Sequence, residues 1–269
     1  MLGRCVGIKR ICDSRLCPTT SLINKGTSVP FFIPMNYDIE KFDEYGYVIV
    51  TDFMDESRHW RLNLECDMYR EFGCGLVRND HGWILNSPNN PCKLDGAMMR
   101  SHVFRDLASN DKLVSTARQL LGTEDIDTYI SKFFPMVPRE GFSVGWHQDN
   151  HYIRANSKRL VSCDVFVNGA DKENGCLRVV AGSHNQTFLH NDKSHDAFRW
   201  IQVNESEMDI TDIELDKPFA VFFHVDLVHG CYRNKSDRHR YSIAWEYIQR
   251  GHVPQTHKGH QSQDRLPVL

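Results

Sequence analysis

RLVSCDVFV, residues 159–167, sets Val161, Cys163, Val165 and Val167 at one parity and Ser162 and Asp164 at the other. Alternate residues of an extended chain project to opposite faces, so this stretch reads as a strand with one packed apolar face and one polar face. Around it lie further short runs of the same kind: DTYISKFF (127–134), CLRVV (176–180), PFAVFFHV (218–225) and RYSIAWEYI (240–248), divided by clusters of Gly, Asn, Asp and Ser. Upstream of residue 126 the pattern is mostly helical. YDIEKFDEYGYVIVTDFMD (37–55) reads as a short helix, a stop at Gly46, an apolar strand YVIV and a turn. From Asp55 to Phe72 the apolar residues Trp60, Leu62, Leu64, Met68 and Phe72 recur at helical spacing, with Asp55 as N-cap and a sheet expected beneath. Two more helices are expected near 101–109 and 111–121, the second closed by Gly122. Helices first and strands after predict an α+β architecture, a β-sandwich or barrel buttressed on one face by N-terminal helices.

Between these helices, residues 73–100 are rich in Gly, Asn and Pro and read as a structureless loop suited to a substrate lid. Residues 1–36 carry five basic residues against one acid, Asp13, a composition compatible with either a targeting segment or a solvated extension. The polar end, 253–269, is expected to be a mobile tail, with the nearby histidines 252, 257 and 260 solvated. That leaves residues 37–252 as one domain.

The chain has 269 residues, 41% hydrophobic and 25% charged, with a net charge of -3. This is ordinary globular usage and gives no broad basic field, so nucleic acid is not the expected partner. Nine cysteines without any Cys-x-x-Cys pair are expected to be reduced thiols, which argues for an intracellular, cytoplasmic protein unless the N-terminal segment directs it to an organelle. No apolar run approaches the roughly 20 residues that span a bilayer.

GWHQDNHY (145–152) carries the chemistry. His147 and Asp149 are two residues apart, which in an extended chain directs both to one face. A mixed imidazole and carboxylate pair with open positions suits non-haem Fe(II) better than a closed zinc site. FFHVDLVHG (222–230) offers a third ligand in either His224 or His229, and residue chemistry alone does not choose between them.

Taken together, WHQD followed by Asn150, His151 and Tyr152, the segment ADKENGCLRVVAGSH (170–184) and FFHVDLVHGCYRNKSDRHRYSIAWEY (222–247) resemble the three spaced motifs of the phytanoyl-CoA dioxygenase family. EKFDEYGYVIV (40–50) resembles its opening, so the likeness runs from about 37 to 250. The resemblance implies a double-stranded β-helix, a jelly-roll or cupin-like barrel. It assigns the distal iron ligand to His229, leaving His224 to the core or the site's surroundings, and a carboxylate-binding role to Arg240. Fe(II), 2-oxoglutarate and O2 are the implied cofactor and cosubstrates, with succinate and CO2 released as a small-molecule substrate is hydroxylated.

Arg240 makes physical sense in that role because a planar guanidinium holds a carboxylate by two parallel hydrogen bonds. Ser242 shares its face and Gln148 joins them as a cosubstrate contact. Tyr241, Ile243 and Trp245 then face the packing side, and Arg233 and Arg238 read as surface charges. Asp149 argues against halogenation, in which relatives replace this ligand with a small residue. Two departures from the family pattern stand out: Met136 in FFPMVP where relatives carry Lys, and Asp164 where they carry Trp. An inward carboxylate is costly unless paired, so Asp164 is expected to recognise a polar or cationic substrate, the bland alternative being a solvated strand-edge Asp. Trp146, Asn150, His151 and Tyr152 are the other expected substrate contacts. The competing readings are a cupin-like isomerase or lyase needing no oxo acid, and a non-catalytic small-molecule binding module.

Overall fold

The computed structural model describes residues 39–188, 190, 201–255 and 264–268. The expected extension 1–36 and the histidines at 257 and 260 lie outside the described residues. The chain opens with α1 (Ile39–Tyr45), β1 (Tyr47–Thr51) and the long α2 (Glu56–Cys74), then β2 (Trp83–Ser87), β3 (Asn90–Asp95), α3 (Ala97–Arg100), α4 (His102–Ala108) and α5 (Asp111–Leu121). β4 (Ile126–Phe134), β5 (Val144–His147), α6 (Asn150–Ile153), β6 (Leu160–Phe166), β7 (Leu177–Val180) and β8 (Ile210–Asp212) follow. β9 (Phe219–His224), β10 (His229–Cys231), β11 (Ser242–Gln249) and β12 (Leu266–Pro267) complete the set.

Two antiparallel sheets face each other. The larger runs β1-β9-β6-β11-β4-β3-β2, with β12 also on β4, and the smaller runs β5-β10-β7-β8. This is a double-stranded β-helix of the jelly-roll class with helices on one face. The period-2 reading of β6 holds residue by residue: Val161, Cys163 and Val165 join Val48, Val50, Phe222, Ile243, Trp245 and Tyr247 in the core under the helices. Residues of the other parity, Tyr47, Ile49, Phe166, Phe219, Val221 and Phe223, fill the space between the sheets with Leu177 and Val179. Each such side chain fully withdrawn from water contributes on the order of 1.5–3 kcal/mol, so a slip of one residue in β6 would forfeit several of these at once.

The helix ends follow their side chains. The Asp55 carboxylate accepts from Arg58 N at 2.8 Å to start α2. Asn110 accepts from Lys112 N and Leu113 N to start α5 and donates to Phe53 O at 2.6 Å, fastening that helix to the end of β1. Gly122, at φ 62°, closes α5 in the left-handed conformation that glycine takes without strain.

Three expectations need correction. The 73–100 segment is not structureless: β2 and β3 form a hairpin on the edge of the large sheet, Trp83, Leu94, Ala97 and Met98 are buried, and Lys93, Met99 and Arg100 line the cavity between the sheets. Its Gly and Asn content belongs to turns, such as the one through Asn89 at φ 64°. In α2 the face turned to the core is Leu62, Cys66 and Gly73, whereas Trp60, Leu64, Met68 and Phe72 stand 66%, 47%, 53% and 51% exposed in a row at four-residue spacing. Finally, the end of the chain is not mobile throughout. β12 pairs with β4, Val268 is buried, and Asp264 accepts from Ser131 N and Ser131 Oγ. The run of polar residues before it hid an apolar terminal turn of ladder.

Candidate active site

The rim of the smaller sheet brings two histidines together. β5 and β10 pair with His147 directly opposite His229, ring centroids 4.2 Å apart. Gly230 makes that pairing possible, since a Cβ there would come within 2.7 Å of Val144 O. Behind β10, β7 is launched by a reciprocal Asp171–Asn174 turn, each backbone N donating to the other's side chain at 2.8 Å, and Arg238 bridges to Asp171. Asp149 is not in the strand, as the two-residue spacing suggested. β5 ends at His147, and Asp149, in helical conformation, begins the turn into α6. The turn returns the carboxylate to the histidines: Asp149 Oδ1 lies 3.6 Å from His147 Nε2 and Oδ2 lies 3.7 Å from His229 Nε2. One donor atom from each of the three residues falls within 4.8 Å of the other two.

Both histidines are oriented alike. His147 Nδ1 lies 2.9 Å from Gly145 O, and His229 Nδ1 lies 2.9 Å from Leu227 O. Carbonyls only accept, so each Nδ1 carries the proton and each Nε2 offers a lone pair inward. Burial and the neighbouring His147 push His229 down to about 4. Burial would raise the Asp149 carboxyl, but His229, His147 and Lys132 hold it well below the ordinary range, and Ser162 Oγ donates to it at 3.3 Å. Inward-facing Nε2 atoms beside an ionised carboxylate are the donor atoms a divalent cation requires.

His224 stands outside this group. Its Nδ1 accepts from Asp226 N at 3.2 Å, and its ring lies against Phe42 and His184.

The triad opens on a cavity of about 640 Å³ between the sheets. At one end Arg240, 3% exposed, donates from Nη1 to Ser242 Oγ at 2.6 Å and lies over the Phe166 ring at 5.1 Å. Its Nε is buried without a hydrogen-bond partner, and among the described residues no carboxylate lies within ion-pair distance of it. A dicarboxylate reaching from the triad would satisfy that orphan donor. Asp164 sits in β6 between Ser162 and Phe166 and also lines the cavity. Burial pushes it up to about 6, against the pull of Arg240, Ser242 and Lys132. Met136 lines the same end at φ 31°, its carbonyl accepting from Arg240 N.

Of the other expected contacts, only Tyr152 lines the cavity. Gln148 is buried, but its amide donates to Asp226 O at 2.5 Å, which ties two loops together instead of reaching a cosubstrate. Trp146 lies on the opposite face of its strand, its Nε1 donating to Glu205 and its ring under Arg178. Asn150 caps its own loop through Ala155, and His151 stacks on His190 at 3.9 Å. The alternation that directs His147 inward directs Trp146 outward, and the helical turn carries Asn150 and His151 away.

Sequence patterning passed over a second charged pair on the cavity wall, Lys132 and Glu246. Glu246 shares parity with Ser242 and Ala244, a legible signal. Lys132 shares parity with Phe134, which also lines the cavity, and the β4 bulge between the Lys132–Ala244 and Tyr129–Glu246 pairings, with Ile130 at φ 48°, sets it beside Glu246.

A sequence profile for the phytanoyl-CoA dioxygenase (PhyH) family matches residues 42–242. The chain belongs to the phytanoyl-CoA dioxygenase family. Over 112 residues it is 33% identical to the peroxisomal phytanoyl-CoA dioxygenase of Mus musculus, covering 38% of this chain but only 32% of the mouse protein. A phytanoyl-CoA dioxygenase of Arabidopsis thaliana is 25% identical over 81% of this chain and 94% of its own. Among solved structures, the non-haem α-ketoglutarate-dependent carbocyclase SnoK from nogalamycin biosynthesis superposes at a TM-score of 0.67, over 90% of this chain and 100% of that one, at 16% identity. That likeness shows a shared fold. Among the described residues no helix is long and apolar enough to cross a membrane.

Proposed function

We propose that this member of the family is an Fe(II)- and 2-oxoglutarate-dependent dioxygenase that hydroxylates a small molecule, with release of succinate and CO2. The observation that carries the reading is the pairing of one facial set of donors, His147, Asp149 and His229, with a buried cation, Arg240, left short of a partner at the other end of the same cavity. Two imidazoles and one carboxylate are the donor set for iron with open positions, and iron so held supplies activation of O2 coupled to decarboxylation of the oxo acid.

The chain's own groups do the rest. Gly145 O and Leu227 O fix the imidazole tautomers, and the Ser162 hydroxyl steadies Asp149. Arg240, braced by Ser242 and Phe166, takes the distal carboxylate of 2-oxoglutarate. Phe134, Phe166 and Leu177 along the walls exclude water from the space between. Asp164, lying on that path, belongs to the cosubstrate half, which moves it from the substrate-recognition role its sequence position suggested. The cavity volume is within the range of small-molecule sites.

The test is anaerobic loading with Fe(II) and 2-oxoglutarate, admission of O2, and measurement of succinate. Succinate that forms with the parent chain but not with His229→Ala or Arg240→Ala supports the reading. An isomerase or lyase with no use for the oxo acid would release none.

A further inference from the structure

With Arg240 and the triad given to cosubstrate and metal, the remaining wall of the cavity is polar in a particular way. Glu246 is 2% exposed and lines the cavity, and its Oε2 is buried without a hydrogen-bond partner. Lys132 Nζ lies 3.9 Å from Glu246 Oε1, beyond hydrogen-bond distance, and no hydrogen bond from that ammonium is present among the described residues. Neighbouring charges are already compensated: Lys93 pairs with Asp95 at 3.0 Å, and Asp264 accepts from Ser131. Arg240 Nε and Asp164 Oδ1 are likewise buried without partners but belong to the cosubstrate end, so among the described residues Lys132 and Glu246 are the charged pair with unused capacity on the remaining wall.

Its position bears on the reaction. Glu246 pairs across β11–β6 with Ser162, whose hydroxyl donates to Asp149, so Glu246 borders the triad. It is four residues along the strand from Ser242, roughly 13 Å at strand rise, and therefore lies away from the carboxylate end of the cosubstrate. The bulge in β4 sets Lys132 beside it at the cost of a left-handed Ile130, an uncommon conformation for a β-branched residue. A buried ion pair that is not fully hydrogen-bonded contributes little to stability.

We propose that Lys132 and Glu246 anchor the primary substrate, and that the substrate carries an amino-acid-like zwitterionic head, its ammonium on Glu246 and its carboxylate on Lys132. The inference rests on the dioxygenase reading, which assigns Arg240 elsewhere. A carboxyl group beside an ammonium on one wall complements an ammonium and a carboxylate borne by neighbouring carbons, the incoming ammonium favouring the ionised form of Glu246. Such a head fills the open valence of both residues and holds the attached chain beside the metal ligands. A neutral or purely anionic molecule would leave one of the two desolvated without a partner.

The experiment uses the full chain loaded with Zn(II) and 2-oxoglutarate, so that binding is read without turnover. Calorimetry compares straight-chain α-amino acids from alanine to norleucine with the amine and the carboxylic acid that each becomes on losing one charged group. The best amino acid should bind about tenfold or more tighter than its own amine or acid. Glu246→Gln and Lys132→Met, each checked for an intact melting transition, should each abolish that margin while leaving 2-oxoglutarate affinity within about twofold. The proposal is overturned if no amino acid in the series binds, if an amine or acid binds as tightly, or if both variants keep the margin. Failure of the parent chain to bind 2-oxoglutarate would instead sink the dioxygenase reading beneath it.

Discussion

His147 and His229 face each other across one rung of the β5–β10 ladder, and each carries its Nδ1 proton to a carbonyl two residues earlier in its own chain. The backbone thereby decides the tautomer of both rings before any metal arrives. Replacing His229 with Ala should weaken Fe(II) binding by more than the roughly 10- to 100-fold that loss of an outer-shell partner costs. His224→Ala should leave it within about twofold by the same standard. Anaerobic Fe(II) titration separates the two, and equal losses would remove His229 from the site.

Arg240→Ala should weaken 2-oxoglutarate binding by about 2–5 kcal/mol, the cost of truncating one partner of a desolvated charge pair. Fe(II) affinity should not change. Arg240→Lys should recover only part of the loss, because an ammonium cannot reproduce the two-pronged contact. Equilibrium binding of the oxo acid to the metal-loaded proteins measures the two losses, and a separate anaerobic Fe(II) titration checks the metal.

Asp164→Asn should tighten 2-oxoglutarate binding several-fold. Its carboxyl, drawn electrostatically to Arg240 though not within ion-pair distance, would no longer oppose the incoming dicarboxylate. Weaker binding in the variant would mean that Asp164 donates a proton to the cosubstrate.

Gly230→Ala tests the close approach of the two ligand strands. The added methyl meets Val144 O at 2.7 Å and must push β10 from β5. Metal affinity should fall with only a small loss in melting temperature, since the larger core under the helices is untouched.

Glu246 gives the unliganded protein a pH signature. Burial pushes its carboxyl from 4.5 up to about 8, opposed by Lys132 and reinforced by Asp149 and Asp264. The folded state therefore binds a proton that the unfolded chain has released, and stability falls as pH rises from about 4.5 to 8. In Glu246→Gln this contribution is absent, so its urea midpoint should decline less over that window. Parallel declines would place the titration elsewhere.

The parity of β6 and β11 was legible in the sequence because each strand buries one face against helices, and Val161, Cys163, Val165 and Ile243 sit on the side that alternation requires. The β2–β3 hairpin was not, since Gly, Asn and Pro mark tight turns as readily as open loops. Asp149 reached its place through a helical turn that no period-2 count describes. Lys132 shares the parity of Phe134 and was legible as cavity-facing, but its nearness to Glu246 was not, because it depends on the bulge at Ile130. Gln148 and Trp146 show the limit of a motif: Trp146 is carried to the opposite side of the ligand's strand and Gln148 into the turn beyond it.

The pinning of Asp264 to Ser131 divides labour along the chain. The three candidate metal donors belong to the smaller sheet and the turn after β5, whereas this stretch of wall comes from the chain beyond β11, held by hydrogen bonds from Ser131 N and Oγ and by the short β12–β4 pairing. The donors and this part of the cavity wall thus rest on separate lengths of backbone. Replacing Asp264 would reshape this stretch of wall while the three donors keep their spacing.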